Sequence, residues 1–322
     1  MQSWRIRLAL LLLATAHFAA LGAGFLAPYD YDDQHRDYPY APPMRLHLQG
    51  VRPVVYGLES QGGEYRENAD QKYPLRFLTG HRLFGVDEPG VYFVLGTDGY
   101  GRDVLSRLLY GGRISLLTGL LAATLSLAIG WILGTIAGFF GGLADQILMR
   151  ISEFFMALPW LYLFLAVRAF LPLHMDPVGA FVLLIAIIGG VGWVRPARLI
   201  RGVVLSGKER SFVLAARGFG GGAVYLIRRH ILPLTIGVTL TQATILIPQY
   251  ILAEVGLSFL GLGVGEPAPS WGNMLAEARQ YHALVLHPWL LAPGAAAIPV
   301  LFAYLLLADT TLEMSQNPRQ LR

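Results

Sequence analysis

Residues Ala215–Pro233, AARGFGGGAVYLIRRHILP, follow one long apolar run, 177–194, and lead into another, 231–253. In nineteen positions they hold four Arg or His and four Gly. The rest of the chain explains why so basic a segment is unusual. The 322 residues are 54% hydrophobic and 14% charged, with a mean hydropathy of +0.50. Soluble chains carry about 25% charged residues. The absence of cysteine excludes disulfides, thiolate metal sites and a cysteine nucleophile.

A helix needs about 20 apolar residues to cross the hydrocarbon core. Leu8–Tyr29, Ile114–Gly142, Pro177–Val194, Ile231–Ala253 and Ala283–Ala308 contain no Asp, Glu, Lys or Arg. Phe154–Leu173 is broken only by Arg168, near one end, where it can snorkel. Backbone groups cannot stay unpaired in lipid, and these runs show no short alternating strands, so six helical spans are predicted. MQSWRIR followed by LALLLLATAHFAALGAG also fits a cleavable signal. On either reading the N-terminus starts in the cytoplasm. The segment 195–230 has eight Lys or Arg against the single acid Glu209, whereas 28–110 has twelve acids and nine Lys or Arg. The positive-inside rule then puts 195–230 and both termini in the cytoplasm.

Residues 28–95 read as a polar extracytoplasmic segment with strand-like stretches such as VRPVVYGL and GVYFVLG. From Val104, apolar residues at helical spacing with Arg102, Asp103 and Arg107 between them suit an interfacial helix leading into the second span. Gly130, Gly134, Gly138 and Gly142 recur every four residues, a face that lets another helix come close. Gly202–Glu209, GVVLSGKE, matches most of a phosphate-binding loop. It has Glu209 where Ser or Thr would hold Mg²⁺, and no preceding strand. No HExxH or GxSxG is present, and no two of the eight histidines stand at ligand spacing. His17, mid-span, reads as a packed, hydrogen-bonded histidine. Glu254, at the end of the fifth span, is a pathway acid or a structural one paired with an arginine or a backbone amide. No catalytic, metal or cofactor site is predicted.

Within 207–233, Glu209–Arg217 reads as one short helix, Ala223–Leu232 as a second, and Gly218 with Gly220–Gly222 as the turn between them. Ala215 and Ala216 allow close approach, and Pro233 opens the next span, where its missing N–H matters least. Ala215-Ala216, three residues, Gly220, nine residues, then His230-Ile231-Leu232-Pro233 resembles a loop in permease subunits of ATP-binding-cassette importers. That loop reads E-A-A, three residues, G, nine residues, an apolar residue, any residue, L-P. Leu214 replaces the glutamate and His230 the apolar residue; HILP is a frequent variant in the peptide branch. GTDGYGRDVLSRLLYGGRISL (96–116) and LSFLGLGVGEPAPSWGNMLAEAR (257–279) are similar to stretches of dipeptide, oligopeptide and nickel permeases. The resemblance runs from about Leu95 to the C-terminus.

It implies an all-α integral membrane protein of the inner membrane, with six spans and a type I importer core. The divisions are an N-terminal helix, 1–27; an extracytoplasmic insertion with interfacial helix, 28–110; a five-helix core, 111–310; and a cytoplasmic tail, 311–322. It further implies a non-enzymatic subunit paired with a second permease in the bilayer, driven by two separate ATPase subunits. These would dock at Ala215, Ala216, Gly220, His230, Leu232 and Pro233. A periplasmic or lipid-anchored binding protein would deliver a short peptide, and no nucleic acid or cofactor takes part. A stand-alone secondary transporter, or a permease for nickel chelates, are the alternatives.

Overall fold

The computed structural model describes residues 2–50, 52–61, 64–169 and 176–316. Its axis is α3 (Val104–Phe140), a 37-residue helix about 55 Å long. Asp103 caps it by accepting from the Ser106 N–H at 2.7 Å, and Gly141, at φ +66°, ends it. Around it lie α1 (Gln2–Leu21), α2 (Ala23–Leu26), α4 (Gly142–Ala157), α5 (Trp160–Ala169), α6 (Pro177–Gly192) and α7 (Val194–Lys208). The chain continues through α8 (Ser211–Gly218), α9 (Ala223–Leu226), α10 (Leu232–Phe259), α11 (Trp271–Glu277), α12 (Tyr281–Leu286) and α13 (Ala292–Gln316).

Close packing explains three of the four spaced glycines. A Cβ on Gly130 would lie 2.8 Å from the Pro196 ring, and one on Gly138 2.8 Å from Val204; one on Gly134 would strike the Ala197 carbonyl. These glycines therefore let α7 lie directly against the α3 backbone. Gly142 does a different job: at φ +56° it opens α4 with no neighbour within 4 Å. A second close approach, Gly119 to Ile251, brings in α10.

Four helical stretches are long and apolar enough to cross a bilayer: Trp4–Leu21, Val104–Phe140, Ala223–Phe259 and Pro288–Thr311. A fifth forms if α6 and α7, bent by 40° at Trp193, count as one. Pro196 supplies no N–H for the Gly192 carbonyl, which accounts for the bend. Among the described residues the count is thus four or five, and not all six predicted spans are found there. The run 154–173 is not one helix: Leu158 is extended and Pro159 separates α4 from α5. The described part of α5 covers ten residues, about 15 Å. Residues 170–175, in which that run ends, lie outside the described residues.

The all-α expectation needs one correction. Between α2 and α3 the chain forms an antiparallel sheet of β1 (His47–Gln49), β2 (Arg52–Gln61), β3 (Glu64–Thr79) and β4 (Arg82–Val86), in that order. β2 carries Val54, Val55 and Tyr56, β-branched and aromatic residues that fit a pleated, half-buried surface. Val55 and Leu58 of β2 pack with Met44 and Phe93 in a small core of their own. Gly80, at φ +62°, turns β3 into β4. VRPVVYGL falls in β2, but GVYFVLG is irregular and buried. Its backbone bonds elsewhere: the Met44 N–H donates to the Phe93 carbonyl at 2.9 Å, and the Tyr92 N–H to the Tyr29 hydroxyl at 2.9 Å.

Candidate functional site

Two regions, at opposite ends of α3, gather the chemistry. At its C-terminal end sits the hairpin of α8 and α9. Gly220 lies at φ +87°. Its N–H donates to the Arg217 carbonyl, and that of Gly221 to the Ala216 carbonyl, each at 3.0 Å. This pair of bonds is a Schellman cap with glycine at its left-handed position. Ala215 is exposed and Ala216 half-buried. Beneath them Val213, Leu226 and Ile231 pack with Ile200 and Val204 of α7 and Phe139 of α3. The Arg217 guanidinium stands over the Phe139 ring at 5.9 Å.

The second half of the hairpin runs on without a break. Ile227–Ile231 is a π-helical turn, in which the Leu232 N–H reaches the Ile227 carbonyl five residues back. The wide turn gives the Pro233 ring room against the preceding carbonyls, so α10 continues the hairpin without a break. His230 sits between the rings of Tyr225, at 5.6 Å, and Phe212, at 5.9 Å; Leu232 is half-buried and Pro233 exposed. Ala215, Ala216, Gly220 and His230 are thus gathered in one hairpin, with Leu232 and Pro233 where it enters α10. The hairpin turns an apolar face outward: Phe219 is 93% exposed, and Leu214, Val224 and Tyr225 are also exposed. Arg210, Arg217, Arg228 and Arg229 surround it. An exposed apolar face of this kind marks an interaction site. Nearby, Arg201 of α7 makes a two-pronged ion pair with Asp145 of α4, and those hydrogen bonds hold the Asp145 carboxyl below its usual range. Gly202–Glu209 has no phosphate-binding loop, because it is the end of α7.

At the N-terminal end of α3 lies a buried ion cluster that sequence reasoning missed. Arg102, 3% exposed, donates to Asp98 at 2.6 Å, to Glu266 at 2.5 Å and to Glu277 at 3.3 Å. Arg107, 1% exposed, donates to Glu266 at 3.0 Å and to the carbonyls of Tyr31 and Pro267 at 3.2 and 3.3 Å. The cluster joins residues 98–107 to 266–277, parts of the two stretches similar to peptide and nickel permeases. The spacing of about 160 positions is why no local pattern revealed it. Burial pushes Asp103, the α3 cap, up to about 7 against its bonds from Ser106, and it raises Glu277.

Glu254 is fully buried. Its partner is the Ser258 hydroxyl, which donates at 2.6 Å, rather than an arginine or a backbone amide. His17 is held by the Leu13 carbonyl at 2.8 Å and lies 3.4 Å from the Tyr304 hydroxyl.

Between these ends, α4–α7 and α10 line a half-open cavity of about 420 Å³. Phe155, Leu163, Ile188 and Leu246 form apolar wall, and Arg195, Gln249 and Tyr250 add polar groups. No sequence pattern marked it, because its wall comes from five helices.

A family model described as "Binding-protein-dependent transport system inner membrane component" matches residues 130–312. The di/tripeptide transport system permease protein DppC of Pseudomonas aeruginosa is 36% identical over 273 residues, 84% of this chain and 75% of its own. The oligopeptide transport system permease protein OppC of Bacillus subtilis is 38% identical over 215 residues, 66% of this chain and 68% of its own. The dipeptide transport system permease protein DppC of Bacillus subtilis is 43% identical over 179 residues, 56% and 54% of the two chains. Among solved structures, a chain of the inward-facing MetNI methionine ABC transporter aligns at a TM-score of 0.45 and 17% identity, covering 63% of this chain and 95% of that one.

Proposed function

The chain belongs to the family of binding-protein-dependent transport inner membrane components, and on that premise we propose that it is the permease subunit of an ABC importer of short peptides. In this reading it lies in the inner membrane with both termini in the cytoplasm, beside a second permease. Two ATPase subunits grip the α8–α9 hairpin, and a binding protein loads cargo at the end that carries the sheet. The observation that carries the reading is the hairpin itself, an exposed apolar face ringed by arginines and capped at Gly220.

The fold supplies a transmission route. The hairpin shares its core with α7 and continues without a break into α10. Those two helices supply Val194 and Arg195, and Leu246, Gln249, Tyr250 and Ala253, to the cavity wall. Closure of the ATPases on ATP would therefore move two walls of the cavity together. Such coupling needs hairpin contacts that differ between the two states.

Co-purification from membranes tests this reading. A tagged chain brings down a second permease and an ATPase pair, and ATP-dependent uptake of short peptides follows reconstitution with the binding protein. Transport by the purified chain alone, driven by an ion gradient, would instead establish the secondary-transporter reading.

A further inference from the structure

The cavity wall carries a cation, Arg195, with no carboxylate partner among the described residues. Arg195 follows directly on the α6–α7 bend. Its neighbour Pro196 and the Trp193 carbonyl pack on Gly130, ten residues before the end of α3. One and two turns further along α7 the situation differs: Arg198 reaches the Met156 sulfur at 3.4 Å, and Arg201 is neutralised by Asp145. Among the described residues no carboxylate lies within 4.0 Å of Arg195, and its side chain is exposed to the cavity. An unpaired guanidinium beside an apolar wall is a ready contact for an anion.

The hydrogen positions at Tyr250 follow from its neighbours. Ser126 Oγ donates its one hydrogen to the Gly189 carbonyl at 2.8 Å. The 2.9 Å contact between Ser126 and Tyr250 is therefore a bond in which the tyrosine donates. The Tyr250 oxygen keeps only lone pairs for the cavity, so it can accept an N–H but cannot donate to an anion. Gly192 is what allows this arrangement, because a Cβ there would lie 2.6 Å from Ser126 Oγ and strike the Tyr250 hydroxyl. Gln249, exposed on the same turn of α10, can both donate and accept. An anion-binding fork, an amide and an N–H acceptor in one apolar cavity match one end of a peptide.

We propose that this cavity is a subsite for the free C-terminal carboxylate of a short peptide, with Arg195 as its anion contact and the Tyr250 oxygen accepting an N–H of the terminal residue. The assignment rests on the peptide-permease reading. A planar guanidinium pairs with a carboxylate through two parallel hydrogen bonds, and a cavity of this volume suits a small ligand.

The test uses the complete transporter, with second permease, ATPases and binding protein, in liposomes containing phosphatidylglycerol. Uptake of labelled trialanine is compared with that of trialanine amide, whose end carries no charge. The readout is how the acid-to-amide ratio changes between wild type and variant, since the binding protein is the same in both. Arg195→Gln should lower that ratio about tenfold, the scale of one charge-assisted hydrogen bond, and Arg195→Lys should keep most of it. Retention of partners on purification shows that the variants assemble. An unchanged ratio overturns the subsite, and so does an equal loss of both peptides. A change confined to the phosphatidylglycerol retained on purification assigns the cavity to lipid and overturns it too. A wild-type transporter that moves neither peptide removes the peptide reading and the subsite with it.

Discussion

Asp103 shows how one buried carboxyl can make an end of the molecule sensitive to pH. It is 1% exposed, accepts from both the backbone and the hydroxyl of Ser106, and leaves Oδ1 without a donor. Desolvation raises it from 3.8 to about 7. A carboxyl raised on folding holds its proton in the native state where the unfolded chain has lost it. Its contribution to stability is therefore greatest at acid pH and declines as pH rises from about 4 to about 7. Glu277 is also raised by burial, so it acts in the same direction. Asp103→Asn keeps a cap acceptor but cannot ionise. In thermal unfolding between pH 5 and 8, the variant should gain on wild type as pH rises; parallel curves would mean that Asp103 does not titrate in this range.

Among the elements, α8 depends most on a single backbone angle. At φ +87° Gly220 occupies a region that costs other residues about 1–2 kcal/mol. Nothing lies within 4 Å of where its Cβ would be, so the strain is in the backbone rather than in packing. Gly220→Ala should loosen the α8 cap by about 1 kcal/mol and reduce the ATPase recovered with the purified chain. Full recovery would mean that the hairpin does not need this cap to dock. The glycine was legible because a left-handed helix end asks for it, and the prolines and alanines around it were legible for similar reasons. The α3 glycines were legible as a stripe, but their partner α7 was not, because a period names a face and not what covers it. The run 154–173 read as one span because hydropathy averages over Pro159, which breaks the helix. The strands of 47–86 were only partly visible: β3 is long and polar on both faces, so it lacks the apolar alternation that marks a strand.

At the scale of the whole molecule, the ion cluster ties together segments that sequence separation keeps apart. Three carboxylates, Asp98, Glu266 and Glu277, share two guanidiniums, Arg102 and Arg107. Arg102→Gln leaves buried acid uncompensated, and losses of about 3–5 kcal/mol are usual for breaking such a pair from one side. A second change, Asp98→Asn, which removes the buried acid paired with Arg102 at 2.6 Å, should restore part of that loss in thermal unfolding. Additive effects would show that the two residues do not interact. The distance between this cluster and the hairpin also has a mechanical consequence, through the place where α7 lies against α3. Gly134, midway in that crossing, is thirty residues from Val104 and six from Phe140, about 45 Å and about 9 Å of helix. A rod held there is a lever with arms in a ratio of about five to one. A small sideways displacement at its short tip, beside the hairpin, would swing the long tip about five times as far in the opposite sense.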